Sequence, residues 1–228
     1  MSIILGDQPE ALPADLLEKL ERVSFPTLGH YLEEGFADFG VSRQVGRGRV
    51  VGRAITVRTT ATDSNMLHHA VGYLEPGDVL VIDTGGDVRH APVGLVIAAG
   101  AAIRGARGII VDGVVTDVDE IAEHAIPVYA RGRSVLTTKL LDFDAGGMNV
   151  PVVCGGVVVQ PGDVVLADAN GVFFAPVATV EAIIHTALED DAEEPDLVAA
   201  LRAGARLGDE TGATETIMSF VAAAGTPA

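Results

Sequence analysis

The sequence is poor in cysteine, in aromatic residues and in positive charge. Cys154 is its one cysteine, so the chain cannot form an intramolecular disulfide or build a cysteine-based zinc site by itself. Ten aromatic residues without tryptophan offer no stacking platform for single-stranded nucleic acid. The 15 Lys and Arg residues stand against 32 Asp and Glu, and the formal charge of −17 opposes phosphate backbones and anionic membranes. We therefore predict no direct nucleic-acid partner and no membrane partner.

Long apolar runs are also missing. A membrane-spanning helix needs about 20 apolar residues, and Gly, Asp or Arg interrupts every candidate run. Residues 1–23 lack the basic start and the long apolar centre of a signal peptide. Together with the single cysteine, these features predict a cytoplasmic protein.

The residues that are abundant are small or aliphatic, with 27 glycines and 48% hydrophobic residues. A chain of 228 residues is long enough to bury a large core without disulfides. We predict one α/β domain over residues 1–190, followed by a helical extension or tail over residues 191–228. Near this boundary, residues 177–189 read as a helix, and the acidic segment 190–196 predicts a break after it.

The most informative local pattern is a strand-loop-helix-strand unit. Its pieces are VLVID at 79–83, TGGDVRH at 84–90, VGLVIAAGAAIRGA at 93–106 and GIIVDG at 108–113. Such a crossover makes the two strands parallel and brings the loops that follow them to one edge of the sheet. Because binding sites commonly lie at that edge, we expect the function to be centred on this unit.

Polar residues at this edge form the first candidate site. Asp83, Asp87, Asp112 and Asp117 could converge there as oxygen ligands for Mg²⁺ or Mn²⁺, although aspartates in these positions also cap helices and stabilise turns. Arg89 could clamp a substrate carboxylate, and His90 could carry a proton near neutral pH. The alternative for Arg89 and His90 is a solvated pair on an exposed loop.

The remaining histidines and the cysteine give weaker signals. His30 could enter the site from a neighbouring segment, but a structural role is an equal alternative. His68 and His69 are adjacent on a predicted helix and point about 100° apart, so they do not both face one metal easily. Cys154 lies among apolar strand residues, which favours a core position. Nucleotide, serine-hydrolase and zinc-peptidase fingerprints are absent from the sequence.

The order and spacing of several segments resemble the RraA-like family over about residues 20–185. That family includes the regulator of ribonuclease E activity and the 4-hydroxy-4-methyl-2-oxoglutarate aldolases. The segments that carry the resemblance are GRAITV at 52–57, PGDVLVID at 76–83, Gly85-Gly86-Asp87, the helix start at Gly94, GARGIIVDG at 105–113, Asp117, PVYARG at 127–132 and PGDVVLADANGV at 161–172.

The resemblance implies a compact α/β/β domain that assembles as trimers or pairs of trimers, with sites at subunit boundaries. In the family's aldolases, backbone amides at a helix start bind substrate, and an Arg-Asp pair holds the substrate carboxylate and the metal. The matching positions of this chain are Gly94, Leu95, Val96 and Ile97 for the helix start, and Thr116 and Asp117 for the pair.

Two of these positions depart from the family pattern. Thr116 replaces the arginine, and Leu95 replaces an acidic residue. Losing a charge-assisted contact of this kind costs about 1.5–3 kcal/mol. We therefore expect Arg89 to supply the missing positive charge, with His90 as acid or base.

The resemblance implies a divalent-metal-dependent lyase that cleaves a carbon–carbon bond of a small 2-oxo acid, by retro-aldol reaction or decarboxylation. Asp117 would anchor Mg²⁺ or Mn²⁺, which stabilises the enolate. One alternative is an isomerase or another enzyme of enolate chemistry acting on a related acid. Another is a non-catalytic regulatory binding protein with an acidic surface. For each, the expected assembly is a homotrimer or hexamer.

Overall fold

The computed structural model describes residues 2–124, 126–141, 145–223 and 225. The strands within these residues are β1 (Ile3–Leu5), β2 (Ser42–Val45), β3 (Val50–Arg58), β4 (Asp78–Asp83), β5 (Gly108–Asp112), β6 (Val114–Val115), β7 (Val128–Ala130), β8 (Gly132–Arg133), β9 (Gly146–Met148), β10 (Val152–Cys154), β11 (Val157–Val159), β12 (Val164–Ala167) and β13 (Val172–Ala175). The helices are α1 (Ala14–Leu20), α2 (Phe25–Leu28), α3 (Asn65–Val71), α4 (Leu95–Ile103), α5 (Val118–Ala122), α6 (Val177–Arg202), α7 (Leu207–Glu210) and α8 (Ala213–Ala223).

A mixed sheet organises the molecule, and its centre is parallel. Strands β3, β4, β5 and β7 lie side by side in that order and run in the same direction. The hairpin of β12 and β13 joins the sheet antiparallel to β3, and β2 pairs antiparallel with β7. The predicted crossover from β4 through α4 to β5 is confirmed, and its register sets Asp83 opposite Asp112 at the carboxyl ends of the strands.

Both faces of the sheet are buried, which produces the expected α/β/β layering. Along β4, Leu80 and Ile82 pack into the cluster that contains α3 and α4, whereas Val79 and Val81 pack on the opposite face. This alternation follows from the two-residue period of a strand. The opposite face is covered by β10, β11 and β13, and a third cluster joins α1, α2 and α6 to the outer side of the β12–β13 hairpin.

Gly52 lies inside one continuous strand, β3. A Cβ atom at residue 52 would lie 2.3 Å from the carbonyl oxygen of Gly77 and 2.9 Å from the Val79 side chain. The glycine therefore permits close approach of the neighbouring backbone and does not mark a break.

The predicted break at residues 190–196 is wrong, because α6 continues to Arg202 with Pro195 inside it. The Asp191 carboxylate accepts hydrogen bonds from the Ser24 backbone N–H at 2.6 Å and from the Thr27 hydroxyl at 2.5 Å. These bonds hold the acidic part of the helix against the end of α2. No helix in the described part of the chain is long and apolar enough to cross a membrane.

Candidate active site

The candidate site is a cavity of about 240 Å³ beside the start of α4. It lies where the chain leaves β6 for α5, next to the loop that enters α4, and residues from α3 and from the segment 134–141 complete it. We call residues 134–141 the strap. The lining residues are Ser64, His68, Ala91, Pro92, Gly94, Leu95, Val96, Ile97, Thr116, Asp117, Thr137, Thr138, Lys139 and Leu140.

Asp117 links two segments at the centre of this cavity. Its Oδ2 accepts a hydrogen bond from the Leu95 backbone N–H at 3.0 Å, and the Thr116 hydroxyl donates to its Oδ1 at 3.2 Å. Asp117 precedes α5 but makes no side-chain cap bond to that helix. Its carboxylate therefore caps α4, a helix distant in sequence, and the local capping role considered from the sequence does not describe it.

The backbone at Asp117 is unusual, with φ 54° and ψ 38° in the left-handed region. Among the described non-glycine residues, only Asp117 and Asn149 have a positive φ. Such conformations cost of order 1–3 kcal/mol and persist where the surrounding structure fixes them. At Asp117 the fixing contacts include the bond to Leu95 and the bond that the Ile121 N–H donates to the Asp117 carbonyl.

Gly94 makes room for this carboxylate. A Cβ atom at residue 94 would lie 2.5 Å from Asp117 Oδ2 and 3.0 Å from the Thr116 methyl group. Any larger residue would push the carboxylate away from the first turn of α4. The glycine at this helix start is thus needed for space and not for a positive φ, since its backbone is extended.

The carboxylate of Asp117 is a suitable ligand for Mg²⁺ or Mn²⁺ that keeps most of its bound waters. Each carboxylate oxygen accepts one hydrogen bond from the protein. Each therefore keeps a free lone pair with which to bind a further ligand. Magnesium commonly keeps several waters and uses one or two protein carboxylates. Among the described residues no group of three or more His, Cys, Asp or Glu side chains could enclose a metal, so a protein-encased ion does not fit.

Asp83 and Asp112 face a different part of the fold. Asp83 accepts bonds from the N–H groups of Gly85 and Val153, at 2.7 and 3.1 Å. Asp112 accepts from the Gly155 N–H at 2.9 Å and from the Arg131 guanidinium, which also contacts Asp38. The two aspartates therefore fasten β10 to the ends of β4 and β5, and the structure does not bring Asp112 into the lining of the cavity.

Asp87, Arg89 and His90 also lie outside the lining of this cavity. Asp87 accepts bonds from the backbone N–H groups of Arg89 and His90 at 2.9 and 2.6 Å, and its carboxylate is 3.0 Å from His90 Nδ1. Partial burial opposes ionisation of Asp87, but the bonds from these two residues lower its pKa overall. The loop is folded onto its own carboxylate, and the predicted catalytic roles of Arg89 and His90 stay predictions.

Of the histidines and the cysteine considered from the sequence, only His68 lines the cavity. His30 is exposed next to Tyr31 and is not among the cavity residues. His68 lines the cavity, whereas the adjacent His69 stacks on Tyr73. Cys154 is buried, and burial raises the pKa of its thiol, which agrees with the core position predicted for it.

Several lining residues were not predicted from the sequence, namely Ser64, Thr137, Thr138, Lys139 and Leu140. They lie far from Asp117 in sequence and form no recognisable motif. The strap reaches the site because its backbone pairs with distant segments, with Ala91 N–H bonded to the Leu136 carbonyl at 2.8 Å. One sequence feature could have drawn attention to Lys139. It is one of only two lysines in the chain, and the other is Lys19.

Comparisons with known proteins show the family and the fold of this chain. Residues 15–174 match the family model described as RraA-like, Aldolase/RraA. A protein of Halalkalibacterium halodurans, provisionally named a 4-hydroxy-4-methyl-2-oxoglutarate aldolase, is 35% identical over 146 residues, which are 64% of this chain and 69% of that protein.

Two solved structures have the same fold. An uncharacterised protein of Pseudomonas syringae pv. tomato superposes with a TM-score of 0.74 at 22% identity, covering 90% of this chain and 96% of the other. The RNA-processing inhibitor RraA from Thermus thermophilis superposes with a TM-score of 0.61 at 28% identity, covering 67% of this chain and 92% of the other.

Proposed function

This chain belongs to the RraA-like family, and from that premise we propose that it is a divalent-metal-dependent lyase acting on a small 2-oxo acid. The reaction is cleavage of a carbon–carbon bond, either retro-aldol or decarboxylation. Provisional aldolase names among relatives at 35% identity support the reaction class. The observation that carries the proposal is the Asp117 carboxylate, held at the start of α4 and open to a cavity of small-molecule size.

Asp117 would hold the metal in this proposal. When bound, Mg²⁺ or Mn²⁺ supplies Lewis-acid stabilisation of the negative charge that develops on the substrate oxygens. The hydrogen bonds from Leu95 and Thr116 orient the Asp117 carboxylate. The metal-binding group is therefore held in position before the substrate binds.

The start of α4 would bind the substrate carboxylate. The first N–H groups of a helix have no partner within the helix, and they favour anions. The Leu95 N–H is used by Asp117, and the next two N–H groups belong to Val96 and Ile97. Within the described residues neither has a backbone partner. These two amides can therefore donate to a carboxylate or to an enolate oxygen.

His68 is the cavity residue best suited to proton exchange near neutral pH. It follows Ser64 by one turn of α3, so both side chains approach the cavity from the same side. In a lyase reaction this imidazole would exchange a proton with the substrate carbon or hydroxyl group.

The test compares the wild-type protein with Asp117→Asn on a panel of 2-oxo acids, including oxaloacetate and 4-hydroxy-4-methyl-2-oxoglutarate. We expect metal-dependent turnover, and a loss of about 100-fold or more in Asp117→Asn because the metal ligand is removed. Asp119→Asn is the matched control, because Asp119 is exposed on α5 and does not line the cavity. Protein-free blanks correct for metal-catalysed decarboxylation. Turnover that survives both chelation and Asp117→Asn would contradict the proposal.

A second candidate is a non-catalytic regulator. It is favoured by the 28% identity to the RNA-processing inhibitor RraA and by the charge of −17, which suits a basic protein surface. The same panel separates the two candidates, because a regulator would show no metal-dependent product with any 2-oxo acid.

A further inference from the structure

The cavity is lined by side chains of two chemical kinds. Hydroxyl and imidazole groups belong to Ser64, His68, Thr137 and Thr138. Apolar side chains belong to Leu95, Val96, Ile97 and Leu140, and we call these four residues the apolar wall. Val96 and Leu140 keep 74% and 59% of their surface exposed. Two of these four side chains therefore stay largely in contact with solvent in the isolated chain.

The described residues of the lining contain one permanent positive charge. It belongs to Lys139, whose Nζ donates to the Thr137 carbonyl oxygen at 3.0 Å and keeps two further N–H groups for a ligand. Arg89 lies outside this lining, and the family's arginine position is Thr116. Within the described lining that this chain supplies, positive charge thus comes from Lys139 and from whatever cation Asp117 holds.

The strap holds Lys139 and Leu140 at the cavity through its backbone. Lys139 N–H donates to the Thr62 carbonyl at 2.9 Å, and the Lys139 carbonyl accepts from Ser64 N–H at 3.0 Å. Two residues further along the strap, the Leu141 N–H donates to an Asp63 carboxylate oxygen at 2.6 Å. Bonds on both sides of Leu140 fix this part of the strap against the start of α3, so the positive and apolar groups keep their places.

These observations favour a substrate with one carboxylate. Lys139 and the N–H groups of Val96 and Ile97 can compensate a carboxylate next to the oxo group. A second carboxylate, at the other end of the substrate, would find no second permanent cation among the described lining residues of this chain. Apolar side chains beside it would offer no hydrogen bond, and the net charge of −17 adds repulsion.

We infer that the cavity takes a 2-oxo monocarboxylate with an apolar tail, and that Lys139 binds its carboxylate. The inference rests on the proposed function for the location of the site. It goes beyond it because the relatives' provisional name refers to 4-hydroxy-4-methyl-2-oxoglutarate, which carries two carboxylates. Leu95, in place of an acidic residue, and Leu140 give the cavity its preference for the tail.

The test measures binding by calorimetry on the full-length protein with Mg²⁺ present, using three probes that need no turnover. They are pyruvate, 2-oxo-4-methylpentanoate and 2-oxoglutarate. We expect 2-oxo-4-methylpentanoate to bind about tenfold or more tightly than 2-oxoglutarate, since the apolar wall favours methyl groups and penalises a charge. Equal affinities, or tighter binding of 2-oxoglutarate, would overturn the inference.

Two variants test the residues. Leu140→Lys adds a cation to the apolar wall and should improve the relative affinity for 2-oxoglutarate by about tenfold. Val135→Lys is the matched control, because Val135 is 99% exposed on the same strap and does not line the cavity. An unchanged ratio in Leu140→Lys would overturn the assignment of the apolar wall.

Lys139→Met should weaken the binding of all three probes by about tenfold, because each loses the charge-assisted contact to its carboxylate. Lys19→Met removes the same charge on α1, at the other lysine of the chain, and should leave all three affinities unchanged. Unchanged pyruvate affinity in Lys139→Met would overturn the role of Lys139. Suppose that the wild-type protein binds pyruvate, that Asp117→Asn does not, and that the wild type shows no preference for the apolar tail. This result would refute the present inference but not the proposed function. No binding of any probe would refute both.

Discussion

At the scale of single residues, four aspartates of similar sequence context have different partners. Asp83, Asp87 and Asp112 each accept two or more bonds from nearby backbone N–H groups or cationic side chains. Asp117 accepts one N–H bond and one hydroxyl bond, and it alone among the four lines the cavity. The acidic residues around the crossover therefore divide into three that stabilise loops and one that is available to a ligand.

Gly94→Ala is a residue-scale test of the contact between α4 and Asp117. The added methyl group would displace the Asp117 carboxylate, since it would lie 2.5 Å from Oδ2. We expect metal-dependent turnover of the best 2-oxo acid to fall about 100-fold, as displacements near 1 Å can do. Kinetic assays with Mg²⁺ and a thermal melt measure the two consequences separately.

The control for this substitution is Gly132→Ala. A methyl group at residue 132 would meet no heavy atom within 4 Å beyond its chain neighbours, and Gly132 has no positive φ. Alanine should therefore be accommodated there without loss of turnover. Wild-type turnover in Gly94→Ala would show that the position of the Asp117 carboxylate does not matter for the reaction.

At the scale of elements, the β10–β11 hairpin is attached to the parallel sheet by side chains. Its Val153 and Gly155 N–H groups bond to the carboxylates of Asp83 and Asp112, at the ends of β4 and β5. Arg131 contacts both Asp112 and Asp38, and these two ion pairs raise the pKa of its guanidinium. The carboxyl ends of β4 and β5 thus anchor the β10–β11 hairpin as well as carrying the loops near the candidate site.

Asp83→Asn should loosen this hairpin selectively. Both oxygens of Asp83 accept backbone bonds, and an amide replaces one acceptor by a donor. We expect amide hydrogen exchange in residues 152–159 to accelerate by about tenfold, the equivalent of one charge-assisted bond, with β4 and β5 unchanged. Exchange monitored by mass spectrometry reports this directly.

Asp209→Asn, on the exposed helix α7, is the comparison for the loss of one negative charge. Equal protection of residues 152–159 in the wild type and in Asp83→Asn would mean that apolar packing under the hairpin holds it without the carboxylate.

At the scale of the whole molecule, the isolated chain exposes apolar residues on the outer face of α4. Val96, which also lines the cavity, and Ile103 are seven residues apart and keep 74% and 84% of their surface exposed, so a contact on this face would place the cavity beside a subunit boundary. Positions seven apart lie on the same side of a helix, and such an apolar stripe is typical of a contact between subunits. We propose that this face contributes to the trimer or hexamer expected from the family resemblance.

Light scattering provides the measurement for this assembly. The wild-type protein should have the mass of a trimer or hexamer of 23.5 kDa chains, and Ile103→Glu should shift the population toward monomer, because a carboxylate would be desolvated in the interface. Leu207→Glu, which adds the same charge on α7, should leave the mass unchanged. A monomeric wild-type protein would rule out the assembly.

The sequence by itself determined the class of the fold and predicted where the site lies. Alternating and continuous apolar runs fixed the β4–α4–β5 crossover, because strand burial on both faces leaves a pattern that a single sequence can show. Gly94 was singled out by the resemblance to the RraA-like family, and Asp117 by that resemblance together with its position after the second strand. The local pattern was less reliable at residues 190–196, where the contacts of Asp191 with Ser24 and Thr27 overrode the acidic signal for a break.

Only the tertiary structure decided which polar residues share the cavity. Arg89 and His90 follow β4 directly, yet Asp87 binds their backbone and they lie outside the lining. Lys139 is 22 residues beyond Asp117, and it reaches the cavity because hydrogen bonds join the strap to Thr62 and Ser64. Such pairings depend on how separate segments meet in space, and no periodicity within either segment encodes them.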